Sequence, residues 1–96
     1  MRYGAFGLVE VLGESNAVIV TDQMLKTAEV QYETKDTKCG GHVLVFVSGD
    51  VAAVSAAVAR VTENPICKIF GSAVISNPAE ETVNVVEMFK ARNAKK

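Results

Sequence analysis

Seven segments of strand or helix character follow one another with almost no linker between them, and this order constrains the fold more than any single motif. Apolar β-branched stretches predict strands at residues 4–12, 30–34, 42–48 and 66–76. Apolar residues at helical spacing predict helices at 17–28, at 51–62 and from 78 onward. The order β-α-β-β-α-β-α predicts a small α+β sandwich in which helices cover one face of a four-stranded antiparallel sheet.

Start signals support each of the three helices. The stretch GESN at residues 13–16 supplies turn and cap chemistry after the first strand, and Asp50 is well placed to cap the second helix. Asn77 as N-cap, Pro78 at the first helical position and two glutamates in the first turn predict the start of the third helix.

The first two helices each have one apolar face. On the opposite face of the first helix, Asp22 and Lys26 have the spacing of an i,i+4 ion pair, and Ile19 lies beside them. An apolar residue on this side indicates a contact with another chain, and a solvated Lys26 is the alternative. The apolar face of the first helix consists of Ala17, Val20, Thr21, Met24 and Ala28. The apolar face of the second helix consists of Val51, Val54, Val58 and Val61.

Length and charge limit the function classes. The length predicts one domain, residues 1–96, whose basic end frays from about residue 91. Ten lysines and arginines against eleven aspartates and glutamates give a formal net charge of -1, so we expect neither nucleic acid nor membrane as a partner. Two distant cysteines, with no signal-peptide pattern and no long apolar stretch, predict a soluble cytoplasmic protein.

The stretch KDTKCGGH at residues 35–42 predicts an exposed loop with several candidate chemistries. Cys39 and His42 could share a metal, with Cys67 as a third ligand, but structural zinc requires four ligands, and Cys67 is expected to be a small buried hydrophobe. A nucleophilic pair of Cys39 and His42 has no third orienting group, so we expect no enzyme. Gly71, in the fourth strand, is expected to mark a bulge.

The adjacent glycines of this loop, Gly40 and Gly41, leave two explanations open. Glycine permits backbone conformations and close approaches that a Cβ forbids, which suits either a tight hairpin or a place where several chains converge on an axis. A phosphate cradle is disfavoured, because the spacing is not that of a P-loop and a strand follows instead of a helix.

Four ordered motifs resemble the bacterial microcompartment shell proteins of the single-domain, hexamer-forming type. The motifs are AFGLVEVLG at 5–13, TDQMLKTAEV at 21–30, VSGDVAAVSAAV at 47–58 and VISNP at 74–78, so the resemblance covers nearly the whole chain. It implies a structural protein of the bacterial cytoplasm whose hexamers tile into a shell, together with other shell proteins, around encapsulated enzymes.

The resemblance also implies residue roles. Lys26 matches the family's edge lysine, which packs against its counterpart in the next hexamer, and Asn77 stands where many members have an edge arginine. Lys38, Cys39, Gly40 and Gly41 match the segment that lines a central pore for small polar or anionic metabolites. His42 is expected to point into the hairpin or a subunit contact.

Cys39 departs from the family pattern, in which glycine is more usual. A ring of thiols around an axis could bind a metal or an iron-sulfur cluster for electron transfer, and the alternative is a thiol that only shapes the pore. A small α+β ligand-binding or regulatory module of similar topology stays open as a further alternative, because fold does not fix function.

Overall fold

The element order of the computed structural model, which describes residues 3–94, confirms the predicted β-α-β-β-α-β-α pattern. A short 3₁₀ turn, Cys39–Gly41, lies between the second and third strands. The elements are β1 (Ala5–Leu12), α1 (Glu14–Thr27), β2 (Gln31–Thr37), β3 (His42–Gly49), α2 (Val51–Glu63), β4 (Gly71–Ser76) and α3 (Glu80–Ala94).

The four strands form one antiparallel sheet, as predicted, and their order in the sheet is β2-β3-β1-β4. β1 lies inside the sheet, where Ala5 pairs with Gly49 of β3 on one side and with Ser76 of β4 on the other. Leu12, at the far end of β1, pairs with His42. The β2–β3 hairpin and the end of β1 therefore meet at the same end of the sheet.

Both faces of the sheet are covered, which corrects the prediction that all helices lie on one face. Side chains alternate along β1, so that Val9 and Val11 pack in one core with α1 and α2, whereas Phe6 and Leu8 pack with α3 on the other side. The sequence of β1 is apolar on both faces, and each apolar face needs a covering layer. The helix α3 supplies the second layer through Val83, Val86 and Phe89.

Several boundaries differ from the predictions. β2 continues to Thr37, through residues expected to form a loop, and its register shifts between Tyr32 and Thr34. Residues 66–70, expected to belong to the fourth strand, lie outside β4, and the pairing of β4 with β1 is continuous, without a bulge at Gly71. α1 begins at Glu14, so the predicted cap residues lie in its first turn, where Asn16 Nδ2 donates to Leu12 O at 2.9 Å.

Three expectations about the helices are confirmed. Asp50 caps α2, because its Oδ1 accepts a hydrogen bond from Ala53 N at 2.8 Å. Asp22 and Lys26 form the expected ion pair at 2.9 Å. The predicted apolar faces are buried at Ala17, Val20, Met24, Val54, Val58 and Val61, although Val51 is exposed.

The last turn of α3 bonds to the edge strand β2. α3 continues to Ala94, the frayed tail expected from about residue 91 stays a prediction, and residues 95 and 96 lie outside the described residues. Arg92 pairs with Asp36 at 2.7 Å, and Asn93 Nδ2 donates to Thr34 Oγ1 at 2.7 Å. Bonds to the edge strand β2 thus fix the last turn of the helix.

A buried carboxylate joins α3 to the shifted part of β2. The Glu33 side chain is only 7% exposed, and it accepts hydrogen bonds from Lys90 Nζ at 2.8 Å and from Ser48 Oγ at 2.5 Å. One helical turn away, Tyr3 donates to Glu87 at 2.6 Å. The register shift lies at Glu33, whose side chain is buried between β2 and α3. Its hydrogen bonds with Lys90 and Ser48 offset the desolvation of its charge.

The closest packing between α2 and β1 occurs at Gly7. A Cβ at this position would lie 2.8 Å from Val54 Cγ1 and 2.9 Å from Val58 Cγ2, which is closer than carbon atoms pack. We therefore expect Gly7→Ala to lower the free energy of unfolding by about 1–3 kcal/mol, as measured by urea denaturation. Gly71→Ala is the matched control, because the nearest atom there is Glu10 Oε1 at 3.8 Å. A Gly7→Ala variant as stable as the control would contradict this packing.

Alkaline pH should weaken the attachment of α3. The hydrogen bond to Glu33 raises the pKa of Lys90, and the hydrogen bond to Glu87 raises the pKa of Tyr3. Both groups keep their protons to a higher pH in the folded chain than in the unfolded chain. Their contribution to the free energy of unfolding is therefore complete below about pH 10. It is lost as the pH rises through the pKa values of the two groups in the folded chain.

The measurement is urea denaturation at pH 8 and pH 11. Lys90→Met should be less stable at pH 8, because Glu33 loses its partner, and should show a smaller further loss at pH 11. Lys38→Met, at an exposed position, is the control and should keep the wild-type difference between the two pH values. An equal alkaline loss in the two variants would show that Lys90 does not carry the effect.

Candidate functional site

The candidate pore loop, residues 38–41, forms the tip of the β2–β3 hairpin. Gly40 and Gly41 have φ values of 81° and 82°, in the left-handed region that favours glycine. Lys38 N donates to His42 O at 2.7 Å and closes the turn, and Gly13 N donates to Gly41 O at 2.8 Å. A tight hairpin alone therefore explains the two glycines. It does not prevent several copies of the loop from meeting at an axis.

The four loop residues are exposed, in contrast to the buried strand that follows. Lys38 presents its side chain at the tip, and Cys39 carries a free thiol. The loop backbone is anchored at both ends by the hydrogen bonds at Lys38 and Gly41. The loop thus combines an exposed ammonium, an exposed thiol and exposed peptide groups on a fixed frame.

His42 lies below the loop, at the first position of β3. Its Nδ1 lies 2.9 Å from Glu10 Oε2 of β1, and its ring meets the edge of Phe70 at a centroid distance of 4.7 Å. The ring therefore packs toward β1 and the segment before β4, rather than into the β2–β3 hairpin, which was one of the two positions expected for it. Glu10, which the sequence reasoning did not single out, is the charged residue within the apolar segment of β1, and that contrast was the available signal.

The two cysteines lie in different environments. Cys39 is exposed on the loop, whereas Cys67 is partly buried and packs against the core formed with α1 and α2, as expected of a small hydrophobe. Among residues 3–94, no three His, Cys, Asp or Glu side chains come together as a metal site would require. One copy of the chain can therefore offer Cys39 only as a single ligand to a metal or cluster.

The candidate assembly edge contains Lys26 near the end of α1. Its side chain is 77% exposed, and the ion pair with Asp22 leaves the aliphatic part uncovered. A shallow hollow next to it is lined by Ile19, Gln23, Arg60 and Ile66, two of which are exposed large apolar residues. This surface can pack an apolar stem and offer polar groups to a facing ammonium.

Asn77, the second predicted edge residue, does not cap α3. The prediction that Asn77 is the N-cap of this helix is therefore wrong. Its φ of 50° places it in the left-handed region, which asparagine adopts more readily than most residues, and its backbone N donates to Gly4 O at 2.8 Å. The first helical bond runs instead from Val83 N to Ala79 O at 3.1 Å, and the helix begins at Glu80. Asn77 is exposed at the corner between β4 and α3.

An apolar groove of about 340 Å³ runs between α1 and the edge strand β2. It is lined by Val18, Leu25 and Tyr32 and bordered by Glu14 and Lys35, which form an ion pair. Burial raises the pKa of the Tyr32 phenol. The sequence reasoning missed this groove, because its apolar residues come from two elements and show no shared period.

None of the helices within residues 3–94 has both the length and the apolar character needed to span a membrane.

The sheet order, the helix layers and the exposed hairpin loop define a class of small α+β domain that known proteins share. A model of the BMC domain matches residues 5–78. The chain therefore belongs to the BMC domain family. Membership confirms the predicted class, a microcompartment shell protein, and the predicted location, a microcompartment shell in the bacterial cytoplasm.

Individual relatives agree with this family. The carboxysome shell protein CsoS1B of Hydrogenovibrio crunogenus is 35% identical over 93 residues, which cover 93% of this chain and 96% of that protein. The carboxysome shell protein CcmK1 of Synechocystis is 38% identical over 73 residues, covering 76% of this chain and 65% of that protein. A microcompartment protein from Desulfitobacterium hafniense has a similar structure, with a TM-score of 0.75 and 26% identity; the match covers 88% of this chain and 47% of that protein.

Proposed function

We propose that the protein is a structural shell subunit that forms cyclic hexamers, which tile edge to edge into the wall of a microcompartment and carry a central pore. The hairpin tip of residues 38–41 is the single observation that carries this proposal. It combines exposure with a backbone that requires two left-handed glycines. Other copies of this chain, other shell proteins and encapsulated enzymes are the proposed partners, and the protein acts as a structural component rather than an enzyme.

The exposed apolar residues support a ring. Val18, Leu25 and Tyr32 lie on the side of β2, and Phe70 and Val74 lie on the side of β4, at opposite edges of the sheet. Two different surfaces that meet head to tail generate a ring when the rotation between copies closes. The hairpin tip, which joins the edge strand β2 to β3, lies at one end of the sheet, where the copies of a ring can converge.

The composition of the loop supports a pore for small polar or anionic metabolites. Successive backbone N–H groups in a glycine-rich turn form a concave site that attracts anions, and Lys38 adds a positive charge in every copy. Repetition around an axis concentrates these groups in one narrow passage. A passage lined by weak, repeated sites lets a metabolite enter and leave.

A second candidate function is electron transfer through a metal or iron-sulfur cluster at the pore, favoured by the exposed thiol of Cys39. Cysteine thiolates hold such clusters, and the single thiol of one chain fits the group only when several copies converge. In that arrangement Cys39 would be the ligand, and the cluster would supply one-electron chemistry. The loop anchors at Lys38 and Gly41 would hold the thiols in place.

Native mass spectrometry on protein purified without oxygen tests both candidates, because one spectrum reports the oligomer and any inorganic mass. A hexamer of bare chains would support the shell and pore function with Cys39 as a pore-shaping residue. A hexamer with extra mass that disappears in Cys39→Ser would support the cluster, whereas extra mass that persists would place the metal elsewhere. A monomer or dimer would contradict the hexamer and favour a ligand-binding or regulatory module.

Lys26→Ala should leave the hexamer intact and reduce sheet formation, because the seam between hexamers loses both the aliphatic stem and the ammonium. Sedimentation velocity measures the hexamer, and electron microscopy measures the extent of the sheets. Asp22→Asn is the matched control, since it removes the ion pair within the chain and keeps Lys26. Sheets of wild-type extent in Lys26→Ala would refute the edge assignment.

A further inference from the structure

We infer that His42 is a positioning residue for the loop of residues 38–41, and that its charge state determines how firmly the loop is held against Glu10 of β1. The functional consequence rests on the proposed pore, which this loop would line. The geometry of His42 itself does not depend on the assembly.

The backbone and the ring of His42 both contact the loop. Its carbonyl oxygen accepts the hydrogen bond from Lys38 N at 2.7 Å that closes the turn. A Cβ at Gly40 would lie 3.6 Å from His42 Cδ2, so the imidazole packs directly under the middle of the loop. A movement of the ring therefore moves the surface on which the loop rests.

The ring has one buried nitrogen that faces a carboxylate. Nδ1 is shielded from solvent and lies 2.9 Å from Glu10 Oε2, yet it has no hydrogen bond of acceptable geometry. A neutral ring can carry its proton on Nδ1 and present it to the carboxylate, or carry it on Nε2 and present a lone pair that repels the carboxylate. The doubly protonated ring always presents an N–H and adds a positive charge, so protonation strengthens the attraction to Glu10.

Phe70 contacts both the backbone of Glu10 and the ring of His42. Phe70 N donates to Glu10 O at 2.9 Å, and the Phe70 ring packs edge-on against the imidazole. Lys68 Nζ lies 5.0 Å from the centre of the Phe70 ring, on the segment that precedes β4. The charged and titratable groups near His42 are therefore Glu10 on β1, Lys68 on this segment, and Lys38 and Cys39 on its own loop.

Histidine is the side chain that ordinarily changes charge between pH 5 and 8, and this chain contains one. The charged ring pairs with Glu10 and holds the loop firmly. The neutral ring makes a weaker contact, and the loop is held less firmly. In a hexamer the same change would occur in every copy, so the shape of the pore entrance would depend on pH.

Nuclear magnetic resonance on the assembled protein, labelled with ¹⁵N in glycine, lysine and histidine, tests this inference between pH 5 and 8. The amide signals of Gly40 and Gly41 should shift with the same midpoint as the His42 ring, while the buried Gly7 should stay still. The protection of the Lys38 amide, corrected for intrinsic exchange, should rise about threefold toward pH 5, the size expected of a half-exposed ion pair. Loop signals that do not follow the ring would overturn the inference.

Two variants separate the positioning role from a general effect on folding. In His42→Gln the loop signals should no longer titrate, and in Glu10→Gln the ring should still titrate while the loop no longer follows it. A loop that titrates as before in either variant would overturn the inference. The Gly7 signal reports that each variant is folded, and Glu10→Gln carries the test if His42→Gln does not fold.

Sedimentation velocity on the same samples distinguishes this inference from the proposed function. A hexamer whose loop ignores the charge of His42 would leave the proposed function standing and refute the positioning role. A smaller oligomer whose loop follows His42 would refute the hexamer and keep the positioning role.

Discussion

The packing of α2 on β1 at Gly7 is the contact on which the rest of the structure depends. Val54 and Val58 reach the backbone of β1 because no side chain stands between them. β1 is also one of the two inner strands, so its position sets the positions of its neighbours β3 and β4. Small and β-branched residues suit this arrangement, since they let a helix approach a sheet closely.

The sheet then determines where the candidate functional groups lie. Antiparallel pairing brings the β2–β3 hairpin beside the end of β1, where Gly13 holds Gly41 and Glu10 meets His42. The same pairing carries Lys26, on the returning helix, away from this end toward the far side of the domain. The separation of the loop at residues 38–41 from Lys26 therefore follows from strand order and helix direction.

The element order, the antiparallel sheet and the helix cap at Asp50 could be predicted because each depends on a local pattern. The position of α3 could not be predicted in this way. A strand that is apolar on both faces indicates that two layers cover the sheet, but it does not indicate which helix forms which layer. Residues 66–70 contain the apolar spacing of a strand, yet β4 pairs only from Gly71. Asn77 suits a cap and a left-handed turn equally well, and tertiary contact with Gly4 decides between them.

The candidate site was predictable in part. The loop residues and Lys26 were found from motifs, and both are exposed as their proposed roles require. Glu10 and the groove at Tyr32 were missed, because a role that depends on residues from different strands leaves no local signal. Assembly itself also depends on contacts between copies, which the sequence of one copy records only through exposed apolar residues.

The two layers of core have a consequence for how such a protein can diversify. The layer with α1 and α2 and the layer with α3 lie on opposite faces of the sheet, and each has its own set of packed side chains. The effects of substitutions in the two layers on the free energy of unfolding are therefore expected to be additive. One side of the domain can change its surface while the other keeps its packing, so a single scaffold can carry different chemistry on its two faces.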